Sequence, residues 1–303
     1  MERVETPRVV LSLDVDGVLE DETVGFSATG ISGAAALKLL QLGGVAVLLN
    51  TARSIEEARA RCEIFQLLGA VGGFGGILWD GVFDREEILT SRGAQAQLTT
   101  LRSALRSDPD IVVDTAHHIG LRVSRIVDGE PGPIVGADAL QLINRYALDH
   151  LTFWVAPRHT DFVDRNVDKA AGLERLRGLL GIRSLPLAAM GDAECDVPML
   201  RLAQYAFVPA ATLPSYRPTP RQRLVRATNL GDASVWEAAC QLVPDQALQR
   251  QVLSRAETVK PPAWLPSELH RVSADSSGLF PRIAAAISTM NPNSRRSDGK
   301  KKT

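Results

Sequence analysis

The chain has 303 residues, of which 45% are hydrophobic and 23% charged, and its formal net charge is −1. This length and composition are typical of a soluble globular protein with two domains, or with one domain that carries a large insertion. The near-neutral charge argues against broad electrostatic binding to nucleic acid or to an anionic membrane. No apolar run approaches the roughly 18 residues of a membrane-spanning helix, and no apolar signal core precedes the first predicted strand. The three cysteines have neither a zinc-site spacing nor an even number for disulfides, so we expect free thiols and a cytoplasmic protein.

The first predicted strand ends in a pair of carboxylates. Residues Val9–Leu13 form a mostly apolar run, and Asp14, Asp16 and Gly17 follow it. Two charges beside the end of a buried strand are costly to desolvate unless a partner binds there, and a divalent cation is a natural partner. Gly17 allows a sharp backbone turn next to the pair. Taken alone, the pattern also fits an acidic loop without a ligand.

A second polar cluster follows the second predicted strand. After a helix over residues 32–42, the apolar run Val45–Leu49 leads to Thr51. Ser54 and the glutamate three residues later form a capping-box pattern, which predicts a helix through Leu68. Thr51 would therefore lie between a strand end and a helix start, where free backbone N–H groups bind anions. Continuous apolar strands that alternate with helices predict an α/β fold with a Rossmann-like core, a parallel sheet with helices on both faces.

From about residue 72 the sequence changes in character. A glycine-rich junction precedes a segment with its own strands and helices, and its two central strands are joined through His117–Gly120, which predicts an antiparallel hairpin. We predict that residues 72–155 form a small α+β cap inserted into a core domain that comprises 8–71 and 156–243. The predicted cap elements are strands 77–83, 111–115, 121–127 and 151–155 and helices 85–107 and 137–147.

The parallel pattern resumes beyond the cap. Lys169 lies in the first turn of a predicted helix, where a cation opposes the helix dipole. A strand over 185–190 then leads into Asp192 and Asp196. For residues 244–290 we predict a helical extension, with helices over 245–257 and 279–290, and for 291–303 a disordered basic tail.

The polar clusters can converge although they are far apart in the sequence. Ligands of open α/β sheets bind beyond the carboxyl ends of the strands, and Asp14, Thr51 and Asp192 each follow a predicted strand. The order Asp-x-Asp-Gly, strand-end Thr, Lys169 and Gly-Asp-x-x-x-Asp resembles the four motifs of the haloacid dehalogenase superfamily of phosphatases. The conjunction is far more specific than any one motif.

The place of the insertion adds to this resemblance. Little more than a turn and a helix fits between Asp16 and Thr51, whereas more than 100 residues separate Thr51 from Lys169. This layout resembles the C2-type cap of the family, and the order of elements resembles its C2B subtype. Cof-type phosphatases and sucrose-phosphate, trehalose-phosphate and mannosyl-3-phosphoglycerate phosphatases share that layout. The Glu-Asn-Gly with which their caps begin is replaced here by Gly-Phe-Gly-Gly at residues 73–76.

The resemblance implies a role for each motif residue. Asp14 would attack phosphorus and form an aspartyl-phosphate, and Asp16 would protonate the leaving alcohol and then deprotonate the attacking water. Thr51 and Lys169 would bind the phosphoryl oxygens and offset charge in the transition state. Taken singly, Thr51 also fits a strand-end hydroxyl without a ligand, and Lys169 a solvated helix residue.

The same resemblance implies a Mg²⁺ site. The acidic set is Asp14, Asp16, Asp192 and Asp196, in which Asp16 would contribute its backbone carbonyl and the ion would retain several waters. Asp196 would orient a water of the metal or Lys169. Alternatively, Asp196 caps the helix that follows it.

Candidate substrate-binding residues lie beside Thr51 and in the cap. Arg53 is close enough to Thr51 in the sequence to reach a phosphate or the cap. Arg158 and His159 lie nearest the return from the cap to the core, which favours them. Further candidates in the cap are His117, His118 and Arg122.

We therefore predict a Mg²⁺-dependent phosphomonoester hydrolase that acts on a small phosphorylated metabolite, with a sugar phosphate as the leading class. A phosphomutase or phosphotransferase on the same fold needs the same four motifs and stays open as an alternative. A regulatory or binding protein of this fold is expected to lose motif residues, and none is lost here. A receiver-type signalling domain would be much shorter and carry no cap, and a dinucleotide-binding enzyme would need Gly-x-Gly-x-x-Gly after the first strand. The sequence assigns no oligomeric state.

Overall fold

The computed structural model describes residues 7–20, 29–114 and 117–258, which form two β-sheets with helices packed against them. The strands are β1 Val9–Leu13, β2 Val45–Asn50, β3 Gly69–Gly72, β4 Ile77–Asp80, β5 Arg85–Ile88, β6 Ile111–Val113, β7 Leu121–Val127, β8 Glu130–Gly132, β9 Leu151–Val155, β10 Thr160–Asp164, β11 Leu187–Met190, β12 Tyr205–Val208 and β13 Arg223–Arg226. The helices are α1 Ile31–Leu42, α2 Ile55–Phe65, α3 Arg92–Leu105, α4 Gly136–Arg145, α5 Lys169–Leu179, α6 Val197–Leu202, α7 Gly231–Leu242 and α8 Gln246–Thr258.

The larger sheet forms the core of the molecule. Among the described residues it has eight strands, in the order β13-β12-β11-β1-β2-β3-β4-β5. The strands from β13 to β3 in that order are parallel, whereas β4 and β5 are antiparallel to their neighbours. At the centre, Leu13 of β1 pairs with Met190 of β11 on one side and with Leu49 of β2 on the other. The carboxyl ends of these three strands therefore meet.

Helices cover both faces of the larger sheet, which explains its continuous apolar strands. In β1, Val10 packs on the side of α5 and α6, whereas Leu11 and Leu13 pack on the side of α1 and α7, because successive strand side chains point to opposite faces. A parallel strand buried on both faces has to be apolar at nearly every position. The predicted α/β fold, with helices on both faces of a mostly parallel sheet, is confirmed.

The smaller sheet has the order β6-β7-β10-β9, with β8 paired to β7. Its pairings are antiparallel and include the predicted hairpin of β6 and β7. One face is buried under α3 and α4, where Val123 and Phe162 belong to one apolar cluster with Leu98 and Ala139. The sheet thus forms a second, α+β unit with one apolar face of its own.

The helix predicted over residues 85–107 begins later than expected. Arg85–Ile88 form β5, the second strand of a hairpin with β4. The hairpin turns at Asp80, whose carboxylate accepts hydrogen bonds from the backbone N–H groups of Val82 at 3.0 Å and Phe83 at 3.2 Å. Such side-chain acceptors favour turns. The arginine and glutamates of β5 suit a helix in composition, but they also suit an exposed strand at the edge of a sheet, and here the edge strand forms.

The chain passes between the two sheets later than the predicted boundaries 72 and 155. Because β3, β4 and β5 all belong to the larger sheet, the chain leaves that sheet after Ile88; because β10 belongs to the smaller sheet, it returns after Asp164. Sequence pattern does not predict β10, since Asp161 and Asp164 interrupt its apolar run. In the structure Asp161 pairs with Arg122, and Asp164 accepts a hydrogen bond from the N–H of Ser91. These partners offset the cost of burying the two carboxylates.

The C-terminal predictions fall only partly on described residues. The helix predicted over 245–257 agrees with α8, Gln246–Thr258. The helix predicted over 279–290 and the tail over 291–303 lie outside the described residues. Within the part of the chain that the structure describes, no helix combines the length and the apolar character needed to cross a membrane.

The turn between β3 and β4 packs against the start of α5. Gly75 lies in this turn with a φ of 101°, and a Cβ at this position would overlap the backbone carbonyl of Asp168, the residue before Lys169. Gly172 approaches from the other side, since a Cβ on Gly172 would lie 3.0 Å from the Cα of Gly75. This close backbone contact fixes the start of α5 relative to the sheet.

We expect Gly75→Ala to lower the free energy of unfolding by roughly 3 kcal/mol, because a backbone clash is added to an unfavourable positive φ. Gly181→Ala is the matched control: its φ is 69°, but no atom lies within 4 Å of the added Cβ, so a loss of about 1 kcal/mol is expected. Urea unfolding followed by circular dichroism measures both. Equal losses would show that the close contact at Gly75 does not limit stability.

Candidate active site

Four charged groups meet at the carboxyl ends of the central strands. The Nζ of Lys169 donates hydrogen bonds to Oδ1 of Asp14 at 2.8 Å and to Oδ1 of Asp196 at 2.5 Å. Asp14 follows β1, Lys169 is the first residue of α5, and Asp192 and Asp196 follow β11. Asp14, Lys169 and Asp196 are almost fully buried. The structure thus brings together four predicted site residues from three separate segments of the chain.

The first turn of α5 directs Lys169 into this cluster. Asp168 caps the helix, since its carboxylate accepts a hydrogen bond from the N–H of Ala171 at 2.8 Å. The backbone carbonyl of Lys169 accepts one from Nδ2 of Asn50, at the end of β2, at 2.9 Å. Lys169 is only 1% exposed, so the alternative of a solvated helix residue is wrong.

Asp196 holds the loop after β11 together as well as Lys169. Its Oδ2 accepts hydrogen bonds from the backbone N–H groups of Asp192 at 2.9 Å and Ala193 at 3.0 Å. It gives no side-chain cap to the following helix α6, so the helix-capping alternative is wrong. Both of its oxygens already have partners inside the protein. The structure therefore gives Asp196 an orienting contact with Lys169, whereas its role as a metal ligand stays a prediction.

The cluster contains more negative charge than Lys169 offsets. Burial, followed by the charge of Asp196, raises the pKa of Asp14 well above its ordinary value, although Lys169 lowers it. Burial and the charge of Asp196 also raise the pKa of Asp192 to about 6. Burial lowers the pKa of Lys169, but the charges of Asp14 and Asp196 raise it, and the net shift of the pKa is upward. Three carboxylates around one ammonium group form a site that favours an additional cation.

The donor set fits Mg²⁺. One carboxylate oxygen from each of Asp14, Asp192 and Asp196 lies within 4.8 Å of the others, and hard oxygen donors are the ligands that Mg²⁺ prefers. Gly17 makes room for them: its φ is 72°, and a Cβ there would overlap Oδ2 of Asp192. Of these residues, Asp14 and Asp192 are the carboxylates suited to hold the ion, because the two oxygens of Asp196 bind Lys169 and backbone N–H groups.

Asp16 lies in a different electrostatic environment from Asp14. Its side chain is 45% exposed and forms a two-pronged ion pair with Arg53, in which Nε lies 2.9 Å from Oδ2 and NH2 contacts Oδ1. Burial alone raises the pKa of Asp16, but the hydrogen bond and the charge of Arg53 lower it below its ordinary value. Two carboxylates two residues apart therefore have pKa values shifted in opposite directions. Arg53, predicted as a substrate-binding residue, binds Asp16 in this structure.

Thr51 is fully buried beside the same strand ends. Its N–H donates to the carbonyl of Val71 at 2.9 Å, and its Oγ1 accepts from the N–H of Arg53 at 3.2 Å. These two N–H groups therefore have acceptors within the protein, whereas anion binding by other N–H groups of this segment stays a prediction. The contribution of Thr51 to phosphate binding stays a prediction that rests on its hydroxyl.

Sequence reasoning missed two charged residues close to Asp16. Glu20 lies 3.2 Å from Arg53, measured from Oε2 to NH1, and its two oxygens accept hydrogen bonds from Arg61. Arg61 lies on the buried stripe of α2 with Ala58 and Cys62. An arginine at an apolar position of a helix is unusual, and that signal could have found the pair.

The cap residues favoured by the sequence line an open cleft. Arg158 and His159 border a cavity of about 550 Å³ together with Arg122 and Ser124. The ion pairs of these residues lie within the cap: NH2 of Arg158 is 3.8 Å from Glu130, whereas Asp161 binds Nε2 of His159 at 3.2 Å and Nε of Arg122 at 2.8 Å. Arg158 is largely exposed. The structure thus places Arg158 and His159 in the cap, separate from the Asp14 cluster.

The polar face of the smaller sheet is turned toward the core. Trp154 pairs with Asp161 across β9 and β10, and its ring stacks on Phe74 of the core at a centroid distance of 6.3 Å. Ile119 approaches the same turn, since a Cβ on Gly76 would lie 2.9 Å from its Cδ1. His117 is buried and lies 3.6 Å from Asp114, whereas His118 is exposed.

Comparison with known proteins gives one family match over part of the chain and a set of solved structures with a similar fold. The model of the haloacid dehalogenase-like hydrolase family matches residues 139–209. No curated protein matches the chain in sequence.

Solved structures resemble the chain over most of its length. A protein of Thermoplasma acidophilum aligns with a TM-score of 0.62 and 14% identity over 78% of this chain and 98% of its own. A sugar phosphatase of HAD subclass IIB aligns with a TM-score of 0.58 and 12% identity over 77% and 98%. A sucrose-phosphatase from Synechocystis, solved with sucrose and phosphate, aligns with a TM-score of 0.54 and 11% identity over 78% and 98%. At these identities the likeness shows the fold alone.

We expect Asp196→Ala to lower the free energy of unfolding by about 3 kcal/mol, because it leaves the buried ammonium of Lys169 with one partner fewer and two N–H groups without an acceptor. Asp245→Ala is the matched control: Asp245 also accepts from two backbone N–H groups, those of Ala247 and Leu248, but it is exposed and has no lysine partner among the described residues. Loss of such a cap costs about 1 kcal/mol. Urea denaturation measures both variants, and equal losses would contradict the importance of the Lys169 contact.

Proposed function

We propose that this chain is a haloacid dehalogenase-like hydrolase and that it hydrolyses phosphomonoesters of small metabolites with the help of Mg²⁺. The observation that carries the proposal is the buried contact of Asp14 with Lys169 inside a cluster of three carboxylates. One site thereby offers a carboxylate that can act as nucleophile, a fixed cation that can offset phosphoryl charge, and oxygen donors that can hold a metal ion.

In the first half of the reaction, Asp14 is the nucleophile. Its Oδ1 accepts a hydrogen bond from Lys169, so we assign the attack on phosphorus to Oδ2. The bond between phosphorus and the ester oxygen breaks as the new bond to Asp14 forms, and Asp16 gives a proton to the departing alcohol. The dianionic phosphate beside Asp16 increases the proton affinity of that carboxyl group, which opposes the effect of Arg53.

In the second half, water attacks the phosphorus of the aspartyl-phosphate. Asp16, now deprotonated, takes a proton from that water, and the bond between phosphorus and Asp14 breaks, which releases inorganic phosphate and restores both carboxyl groups. The contact with Arg53 favours the ionised form of Asp16 that this step needs. Lys169 stays charged throughout, because its two buried carboxylate partners raise its pKa, and with the hydroxyl of Thr51 it binds the phosphoryl oxygens.

Asp14 and Asp192, with the backbone carbonyl of Asp16, would hold the Mg²⁺ ion, and Asp196 would support them through Lys169 and the loop after β11. When bound, the ion offsets negative charge on the phosphoryl group and lets a dianion approach a carboxylate. The excess of acidic groups over Lys169 supports this assignment.

A sugar phosphate is the substrate class that fits the cap best. The cleft presents hydrogen-bonding groups of Asp114, Arg122, Ser124, Arg158 and His159 beside the apolar side chains of Val112, Val113 and Pro131, and the polar groups match hydroxyls. Two of the similar structures are a sugar phosphatase and a sucrose-phosphatase. We assign contact with the leaving group to Arg158 and His159, which border this cleft.

We expect Asp14→Asn to reduce kcat/KM more than about 10³-fold, as loss of a nucleophile does. The assay measures phosphate release from a panel that contains hexose 6-phosphates, sucrose 6-phosphate, trehalose 6-phosphate, phosphoserine and nucleoside monophosphates. Asp245→Asn, an exposed site distant from the cluster in sequence, is the control and should keep full activity. Undiminished activity of Asp14→Asn would contradict the mechanism, and a preference for phosphoserine or nucleotides would contradict the substrate class.

We expect EDTA to abolish turnover and added Mg²⁺ to restore it. Asp192→Asn should raise the Mg²⁺ concentration needed for half-maximal activity at least about 10-fold, because it removes a charged ligand. A second measurement is independent of turnover: Mg²⁺ should raise the thermal midpoint of the wild type and much less that of Asp192→Asn. Turnover that persists in EDTA would overturn the metal requirement.

A further inference from the structure

A chain of four charges joins the loop after β1 to the start of α2. The guanidinium of Arg53 binds Asp16 through Nε and NH2, and its NH1 lies 3.2 Å from Oε2 of Glu20. Arg61 donates from Nε and NH2 to the two oxygens of Glu20, both at 2.7 Å. The order of contacts is therefore Asp16, Arg53, Glu20, Arg61. Both acids come from one loop and both arginines from the segment that leads into and forms α2.

Glu20 and Arg61, the last two of these four charged residues, form a buried ion pair. Glu20 and Arg61 are 4% and 2% exposed. Removing two ions from water is costly, and apolar residues of similar volume would usually stabilise a fold at least as well as a buried ion pair. A buried pair next to a proposed active site is thus better explained by what it orients than by the stability it adds.

The backbone fixes the positions of Glu20 and Arg61 independently of Arg53. The N–H of Glu20 donates to the carbonyl of Val15 at 2.8 Å, and its carbonyl accepts from the N–H of Gly17 at 3.0 Å. NH1 of Arg61 donates to the carbonyl of Glu57 at 2.9 Å. Glu20 therefore presents its carboxylate to Arg53 from a fixed place.

The planar guanidinium of Arg53 has two edges with separate partners. The NH1 side meets Glu20, and the edge formed by Nε and NH2 meets both oxygens of Asp16. Because the group is rigid and flat, fixing one side sets the direction of the other. NH1 also lies 3.9 Å from Oε1 of Glu57, but Glu20 is the nearer carboxylate and therefore contributes, through Arg53, to the orientation of the Asp16 carboxylate.

We propose that Glu20 and Arg61 are positioning residues for proton transfer: they hold Arg53 so that it fixes the carboxylate of Asp16 where a proton passes to the leaving alcohol. The proposal rests on the proposed function and adds two residues that touch no substrate. The competing explanation is a purely structural tie between the loop and α2.

Two substrates that differ in whether their leaving group needs a proton distinguish the positioning role from a purely structural one. The test substrates are the sugar phosphate hydrolysed fastest in the panel above, whose alkoxide needs a proton on departure, and p-nitrophenyl phosphate, whose phenolate does not. Glu20→Gln should lower kcat/KM for the sugar phosphate at least about 10-fold with KM within about twofold, because a misplaced acid loses part of its contribution. For p-nitrophenyl phosphate, kcat/KM should fall at most about twofold. An equal loss on both substrates would overturn the positioning role.

Two further variants complete the experiment. Arg61→Lys keeps the positive charge but cannot donate to both oxygens of Glu20 in the same way, so it should show the same leaving-group difference to a smaller extent. If Glu20→Gln does not fold, Arg61→Lys serves as the test. Arg177→Lys is the matched control, since Arg177 is likewise a buried helix arginine paired with a glutamate, Glu174, but lies at the far end of α5 from Lys169. Thermal midpoints are measured for all variants.

Arg177→Lys should lower the thermal midpoint without any leaving-group difference. If it reproduces the kinetic pattern of Arg61→Lys, the effect is one of stability and the positioning role is wrong. If the wild type hydrolyses no ester of the panel, the proposed function itself fails, an outcome distinct from equal losses in an active enzyme.

Discussion

The contact of the Lys169 ammonium with Asp14 and Asp196 is the interaction on which the rest of the site depends. Three carboxylates at the ends of neighbouring strands repel one another in a medium from which water is largely excluded, and one buried cation makes their convergence tolerable. Several features hold that cation in place. The turn at Gly75 sets the start of α5, Asn50 binds the carbonyl of Lys169, and the loop after β11 folds around Asp196.

Two aspartates from one short loop are placed in opposite electrostatic environments. Asp14 is buried among other carboxylates, which raises its pKa, whereas Asp16 faces an arginine, which lowers its pKa. Pairs of acids separated in this way are typical of sites where one group forms bonds to the substrate and the other moves protons. The difference in pKa arises from neighbours in other segments, Asp196 for Asp14 and Arg53 for Asp16. Two aspartates only two residues apart can therefore take different chemical roles.

Continuous apolar runs and strand-end polar residues were sufficient to predict the parallel core and the meeting of Asp14, Lys169, Asp192 and Asp196, because burial on both faces and the carboxyl-end rule leave few alternatives. The pattern of apolar and polar residues gave no correct prediction where a charged side chain is buried with a partner from a distant segment. β10 contains Asp161, whose burial is offset by Arg122 and His159, and Glu20 is paired with Arg61 and Arg53. The position of Arg61 on the apolar stripe of α2 signals a buried charge, but it does not identify Glu20 as the partner. The edge strand β5 was missed for the converse reason, since its charged residues suit either an exposed helix or an exposed strand.

That edge strand is a potential site of pairing with another molecule. Among the described strands, β5 is the last on one side of the larger sheet, and the outer row of backbone groups of such a strand is a natural template for a further strand. Its arginine and glutamates are held outward by ion pairs, Glu87 with Arg175 and Glu86 with Arg59. On the opposite side, β13 begins and ends in arginine. Strand addition at either margin would have to strip water from these charges, which opposes pairing of β5 or β13 with a strand of a second molecule.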